Sequence, residues 1–544
     1  MEEITASSYD PRLLMNQSGI KSAALPKLTV RAWPSAIFWP VFTIALVRIL
    51  TLPVEASPNP APATVPSFRA WNGDEGAFTF TKDTLIIVDS KYHNQLAEAA
   101  SLFKNDLKQI SGDDHKIIFK SKPKAGDLFL TLNNSDAGLG NEGYLLQVGD
   151  GMTIRANTDA GVFYGTQTLL QILKLDATHS MIPHGTARDF PLCEYRGQMI
   201  DVGRRYYQMS YLESQMREMA WFKMNMLHLH FTDWDGFRLV SKTYPGLATS
   251  PAYSKEDIRR LQDVAKRYHI TIVPEIDLPA HAKAITDYDP KLRFPCDSMD
   301  TGHWAGSKDG GWMLDITRPE VRAWIRSLLD EFIPEFDGPY FHIGCDEWEF
   351  ESKQWQCPEL VDYMKKKGYA KPTDVFVEWI NEVDAQVRSY GKTMQLWNWW
   401  DYKQSPDLQP NKDIIINVWT AAPDHFTTNG WKVIDSPEDG PDALYVSPGD
   451  GGTSLGQYGY VDSKRIYELW NMPSAPNLMG FQLCRWSDEV ESKSDAWLDG
   501  WAQRPLQVLA ERVWGGPRSA TVTAFYSHVD ALGHPPEPFT SFSK

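Results

Sequence analysis

The chain has 544 residues, more than one ordinary core accommodates, so two folded domains and an N-terminal extension are expected. Apolar residues make up 42% of it, which excludes a wholly disordered chain. Acidic residues number 70 against 54 basic, a formal charge of -16 that disfavours nucleic acid or an anionic membrane surface as the main partner.

Residues 33–52 form an apolar run followed by a small-residue stretch near Val54-Glu55-Ala56, the pattern of a secretory signal with its cleavage site. Arg48 inside the run argues against a stable membrane span, so the expectation is a secreted protein, membrane-anchored only if the segment stays uncleaved. In that setting Asn133-Asn134-Ser135 is a glycosylation acceptor. Ser57 to Pro66 is Pro-rich and reads as a linker, so residues 1–66 are taken as leader and linker.

Residues 75–190 read as a small α+β accessory domain. Strands are expected at 84–90, 116–120, 127–132, 143–150 and 152–156, with helices at 92–110 and 160–175 and a Pro-bounded junction at 183–191. From 191 to 516, short buried strands alternate with amphipathic helices. Eight strands are predicted, at 196–202, 225–231, 271–277, 340–346, 393–398, 413–419, 443–447 and 480–486. Ser210 with Glu213 and Thr317 with Glu320 have the spacing of capping boxes at helix starts. Residues 517–544 are left as a C-terminal tail. Eight strands, each followed by a crossover, predict a parallel (β/α)8 (TIM) barrel with its chemistry at the C-terminal strand ends.

Polar and aromatic residues collect where that rule wants them. Asp233 follows the second strand, Asp277 and His281 the third, and Asp346 and Glu347 close the fourth; Trp397, Trp419 and Trp486 end the fifth, sixth and eighth. Two adjacent carboxylates behind a buried strand are costly without a chemical reason. The five Cys, at 193, 296, 345, 357 and 484, show no paired metal-ligand spacing, so no zinc is expected. Their odd count leaves at least one unpaired, with Cys345–Cys357 or Cys296 with either of them as candidate bridges.

His342-Ile343-Gly344-Cys345-Asp346-Glu347 resembles the H-x-G-G-D-E signature of glycoside hydrolase family 20, the β-N-acetylhexosaminidases. Arg196-Gly197 with Asp201 and Arg204, His228 to Asp233, Pro274 to His281, and Ala510 to Trp514 resemble its other motifs. Glu142-Gly143-Tyr144 and Gly161 to Gly165 are similar to its accessory domain. The resemblance implies an exo-acting hydrolase that removes terminal N-acetylhexosamine from an oligosaccharide or glycoconjugate. The mechanism it implies is substrate-assisted and retaining: the 2-acetamido oxygen is the nucleophile and no cofactor takes part.

By that resemblance Glu347 is the general acid and base, its proton held by partial burial and by its anionic neighbour, and Asp346 orients the acetamido group. Arg196 binds sugar hydroxyls, Trp397, Trp419 and Trp486 wall the pocket, Tyr445 donates to the acetamido oxygen, and Asp233 with His281 tunes Glu347. The chain departs from the family pattern at Cys345, where a second Gly is usual, and at Ser447, where an acid is usual and Asp462 is a candidate substitute. It departs again at Asp488, where a Glu commonly reads hydroxyls. These departures bear on substrate choice and leave open release of a disaccharide or modified hexosamine, and a non-catalytic glycan-binding relative.

Overall fold

The structure is a computed structural model that describes residues 57–299, 311–349, 351–400, 404–449 and 454–536. All belong to one unit, Ala56–Lys544. The apolar segment 33–52 lies outside the described residues, and no described helix is long and apolar enough to cross a membrane.

The first part of this unit is a seven-stranded mixed sheet. Its strands are β1 (Ala70–Thr79), β2 (Ile86–Asp89), β3 (Ile117–Lys120), β4 (Leu128–Thr131), β5 (Tyr144–Val148), β6 (Met152–Ala156) and β7 (Met181–Asp189), in the order β1-β7-β5-β6-β4-β2-β3. The outer strand β1 and its neighbour β7 were not legible in the sequence. β1 is mostly exposed and bulges between Gly73 and Ala77, and β7 carries Pro183, which lies opposite Ala77 and beyond the end of β5. Pro is tolerated there because the N–H it lacks is not needed. The Pro-rich stretch is also less of a linker than expected: Thr64 and Val65 are buried, and Gln171 holds both backbone groups of Val65. The helix Asp159–Leu175 is buried on every side from Gly161 to Leu173, which explains its two glycines; a Cβ at Gly161 would lie 2.4 Å from the Gly143 carbonyl.

The second part is a closed ring of eight parallel strands. Seven follow the prediction closely or in part: β8 (Tyr195–Asp201), β9 (Met226–His230), β10 (Thr271–Leu278), β11 (Tyr340–Gly344), β12 (Thr393–Trp397), β13 (Ile415–Val418) and, closing the ring, β16 (Leu478–Arg485). The stave between β13 and β16 comes in two pieces. β14 (Lys432–Asp435) pairs with β13 and with the first half of β16, while the predicted seventh strand is reduced to β15 (Tyr445–Val446), paired beside Cys484 and Arg485 near the C-terminal end of β16. Four residues between Gly430-Trp431 and Ser436-Pro437 gave too short a pattern to read. The split matters, because it lifts Tyr445 onto the C-terminal rim.

Two predicted helix starts are corrected. The helix Met209–Trp221 has Gln208 at its N-cap, and Glu213 turns to Arg260. The helix Pro319–Phe332 is capped at Arg318, with Thr317 donating to Asp315. A capping box does occur at Ser254 and Asp257. The expected C-terminal tail contains a helix, Val522–Leu532.

Candidate active site

Gly344, Cys345 and Glu347 all have positive φ, +67°, +75° and +46°. The chain leaves the barrel wall within four residues, and left-handed steps achieve that turn. No side chain fits at Gly344, where a Cβ would lie 1.6 Å from Asp277 Oδ1. Cys345 occupies a conformation that favours glycine, with its thiol buried and its N–H donated to Asp277 Oδ1 at 3.2 Å. The turn delivers Asp346 buried and Glu347 partly open to solvent.

One imidazole serves both carboxylates. His281 Nε2 lies 3.1 Å from Glu347 Oε2 and 3.5 Å from Asp346 Oδ2, and its Nδ1 lies 3.2 Å from Asp233 Oδ1. Burial opposes charge on this ring, but Asp233, Asp346 and Asp277 outweigh it and lift its pKa well above the ordinary value. The ring is therefore an imidazolium with two N–H donors. Burial likewise pushes Asp346 up, with Glu347 adding to it against His281. Asp277, buried beside Asp346, is held well above the carboxylate range. Asp233 goes the other way: Arg204, His281 and His230 overcome burial and hold it ionised.

Beneath them Glu275 sits within 2.9 Å of His228, 2.6 Å of His230 and 3.1 Å of His342, and accepts the Trp397 indole N–H at 2.8 Å. Burial lowers His342 to about 4 despite Glu275, and its Nδ1 accepts the Gly344 N–H. Three of these groups have metal-like spacing: His228/Glu275/His342, His230/Glu275/Asp277 and Asp277/His281/Asp346. In the first two, Glu275 is already hydrogen-bonded to the His230 ring and the Trp397 indole, with His228 close by, so the cluster reads as a charge-compensated floor rather than a cation cage.

The walls are aromatic. Trp397, Tyr445 and Trp486 pack with Met199 and Cys484, flanked by Trp419 and Tyr458. The Trp419 and Tyr445 rings are parallel, 6.4 Å apart, and the Trp486 ring lies 5.8 Å from Tyr445. The indole N–H groups of Trp419 and Trp486, and Asp346 Oδ1, have no hydrogen-bond partner among the described residues. Beside that wall Arg204 meets Asp201 at 2.9 Å, Asp233 at 2.8 Å and Asp488 at 3.0 Å, with its guanidinium over the Trp486 ring. Ser447 donates to Asp488 at 3.2 Å.

The structure therefore brings together Asp233, His281, Asp346, Glu347, Trp397, Trp419, Tyr445, Trp486 and Asp488. The catalytic-domain model of glycosyl hydrolase family 20 matches residues 193–517, and the model of that family's domain 2 matches 61–190. The chain belongs to glycosyl hydrolase family 20. It is similar to a lacto-N-biosidase of Bifidobacterium bifidum, 26% identical over 493 residues that make up 87% of this chain and 42% of that one. It is also similar to β-hexosaminidase subunit A1 of Dictyostelium discoideum, 26% identical over 442 residues, 76% of this chain and 78% of that one. Among solved structures, the family 20 β-N-acetylhexosaminidase of Streptomyces coelicolor superposes with a TM-score of 0.69 at 26% identity, covering 89% of this chain and 99% of that one.

Within this family 20 frame two expectations are corrected, and one left open is decided. Arg196 is not at the site: it opens β8 at the N-terminal end of the barrel, fully buried, with its fork closed on Glu142 at 2.7 and 2.9 Å. Arg204, just past the C-terminal end of the same strand, is the arginine that the site contains. Asp462 does not substitute for the missing acid; it accepts the Arg465 N–H at the start of the helix Ser463–Glu468. Of the candidate bridges, the disulfide joins Cys296 to Cys357, and Cys345 is a free, buried thiol.

Proposed function

We propose that this family 20 member is a glycoside hydrolase of the β-N-acetylhexosaminidase type, cleaving N-acetylhexosamine from glycans with retention and with the sugar's own acetamido oxygen as nucleophile. The observation that carries this reading is that His281 Nε2 reaches both Asp346 and Glu347, at 3.5 and 3.1 Å. Both carboxylates thus stand on one turn and one side of the pocket. A conventional retaining pair faces each other across the sugar, one as acid and one as nucleophile. A same-side pair leaves the nucleophile's position to the substrate.

In this mechanism Glu347 protonates the leaving oxygen as the acetamido oxygen attacks the anomeric carbon, giving an oxazolinium ion. Glu347 then takes a proton from the water that opens it. Asp346 accepts the acetamido N–H and faces the charge that develops on the ring, while Tyr445 donates to the acetamido oxygen. Trp397, Trp419 and Trp486 enclose the group. Asp233 and His281 act through Glu347: Asp233 fixes the imidazolium, which holds the carboxyl in place. Arg204 and Asp488, rather than Arg196, meet the sugar's hydroxyls. The accompanying substrate is an oligosaccharide or glycoconjugate.

Secretion and glycosylation belong to the same proposal, supported by the exposed position of Asn133 and by the Cys296–Cys357 disulfide, which suits an oxidising compartment. A second reading, release of a disaccharide, is favoured by Ser447, which leaves the hydroxyl end of the pocket with one carboxylate fewer. The test is release of p-nitrophenol from the β-N-acetylglucosaminide by the wild type and by Glu347→Gln. Turnover lost in the variant supports the reaction and its acid; a folded wild type with no turnover on any N-acetylhexosaminide overturns the reading.

A further inference from the structure

A general acid must stand within hydrogen-bond reach of the oxygen it protonates, so whatever fixes the main chain around Glu347 fixes the reaction. The turn from Gly344 to Glu347 is left-handed at three of its four residues and needs anchors on both sides. Before the acid, His342 Nδ1 takes the Gly344 N–H at 3.0 Å and Asp277 takes the Cys345 N–H at 3.2 Å. After it, the anchor is the Trp348 carbonyl. This oxygen accepts the Trp399 indole N–H at 2.8 Å, while Gln354 Nε2 lies 3.5 Å from it and donates to the next carbonyl, that of Glu349. The Trp348 ring is fully buried and stacks on Phe376 at 4.9 Å. The side chain of Trp348 is thus held by packing, and its carbonyl is held by Trp399.

The same indole also supports the pocket wall. Its ring lies within 20° of parallel to Trp419 at 5.9 Å, and Trp419 is the ring that runs parallel to Tyr445. The preceding residue works alongside it: Asn398 Oδ1 accepts the Trp419 N–H at 2.8 Å, and Asn398 Nδ2 donates to Thr420 at 3.0 Å. Asn398 and Trp399 follow β12, which stands between β11 and β13 in the ring. One dipeptide therefore touches the acid-bearing turn on one side and the aromatic wall on the other. Protonation of the leaving oxygen and attack by the acetamido group converge on one anomeric carbon, and a misplacement of about 1 Å between such groups costs on the order of 10²-fold in rate.

We propose that Trp399 is a positioning residue for the reaction: by holding the Trp348 carbonyl, its indole N–H keeps Glu347 in register with the Trp419 wall. It acts through the acid-bearing turn, and its loss is felt most where the leaving group most needs a proton. This rests on the reading of the pocket given above and adds a residue to its machinery.

The experiment compares kcat/KM on the phenyl and p-nitrophenyl β-N-acetylglucosaminides. Phenolate is the poorer leaving group and depends on the acid, whereas p-nitrophenolate departs with little help. Trp399→Phe keeps a ring against Trp419 and removes the N–H. Its kcat/KM should fall about ten-fold on the phenyl glycoside and about two-fold on the p-nitrophenyl one, with inhibition by N-acetylglucosamine unchanged. Trp399→Leu, which removes the ring as well, should in addition weaken that inhibition about three-fold. Trp399→Tyr, which also lacks the indole N–H, gives the same reading should the Phe variant not fold. Equal losses on the two glycosides are the mark of a merely structural role and overturn the proposal, as does no loss on either. Where the wild type cleaves neither, the same two leaving groups on galactosyl-β-1,3-N-acetylglucosamine take their place. Cleavage of none of the four overturns the pocket reading, and the role of Trp399 falls with it.

Discussion

Arg196 and Arg204 bracket one strand, and the surroundings they have found at its two ends differ in kind. At the N-terminal end Arg196 is saturated. Glu142 takes both arms of its fork, and the carbonyls of Cys193 and Lys223 take two further N–H groups. Nearby, Asp189 collects Tyr144, Lys223 and Trp514. At the C-terminal end one guanidinium faces Asp201, Asp233 and Asp488, and Asp346 Oδ1, Asp277 Oδ2 and two indole N–H groups are left unpartnered among the described residues. Both arginines are largely buried; Arg196 is closed on its partners, while the groups gathered around Arg204 include unpartnered atoms of the pocket. A buried charge closed within its own chain holds domains together, and one left with open valences is available to a substrate.

The sharpest way to break this comparison is to remove one member at each end. At the open end, Glu347→Gln or Asp346→Asn should lower kcat/KM on the order of 10²-fold or more, with the melting temperature little changed. At the closed end, Arg196→Ala strips the part-buried Glu142 of its ion pair, leaving it only Asn225, and should cost up to about 3 kcal/mol of stability in a denaturant titration. Its kcat per folded molecule should match the wild type. A folded Arg196→Ala protein with wild-type stability and a hundred-fold raised KM would return that residue to the site.

The rule that polar residues gather at C-terminal strand ends made nearly all of the site legible, and the same rule disqualifies Arg196, which opens its strand. Motif likeness pointed to the wrong arginine of an Arg-rich stretch, although Arg204 stands within the same quoted pattern. What the sequence could not show was partnership across the barrel. The pairing of His281 with both carboxylates, the Glu275 floor and the contact of Ser447 with Asp488 join residues from different strands, and no spacing along the chain encodes them. The short β14 and the exposed β1 were lost for a simpler reason: four residues, or a strand with one weakly buried face, carry too little periodicity to read.

A smaller effect separates the two ends by pH. Glu511, on the closing helix at the N-terminal end, accepts the Ser67 N–H at 2.9 Å, has its other oxygen unpartnered among the described residues, and is pushed by burial to about 7. The folded state therefore binds this proton more tightly than the unfolded chain. The stabilisation is present below the ordinary value of 4.5 and lost as pH rises toward 7, by up to about 3 kcal/mol. Unfolding in urea at pH 5 and pH 8 should show the loss, and Glu511→Gln should flatten it. At the open end the readout is rate. Asp346 must be ionised to stabilise the positive charge that develops as it accepts the acetamido N–H, and its pKa lies above the ordinary 3.8. The acid limb of kcat/KM should thus lie above that value, and Asp346→Asn should remove the limb along with most of the rate.

The smallest expected effect falls on Cys345. Its φ of +75° costs a side-chain-bearing residue about 1–2 kcal/mol relative to glycine. Against that, the thiol is fully buried, 3.7 Å from the Ile343 carbonyl, and a glycine would leave both a small void and a freer unfolded chain. These terms nearly cancel, so Cys345→Gly should change stability by less than about 1 kcal/mol. The backbone N–H that bonds Asp277 is present in either residue, so the turn that presents Asp346 and Glu347 should persist and the rate should change by only a few-fold. A ten-fold or larger drop in kcat with unchanged KM would mean that the thiol, and not the Asp277 bond, holds the two carboxylates in register.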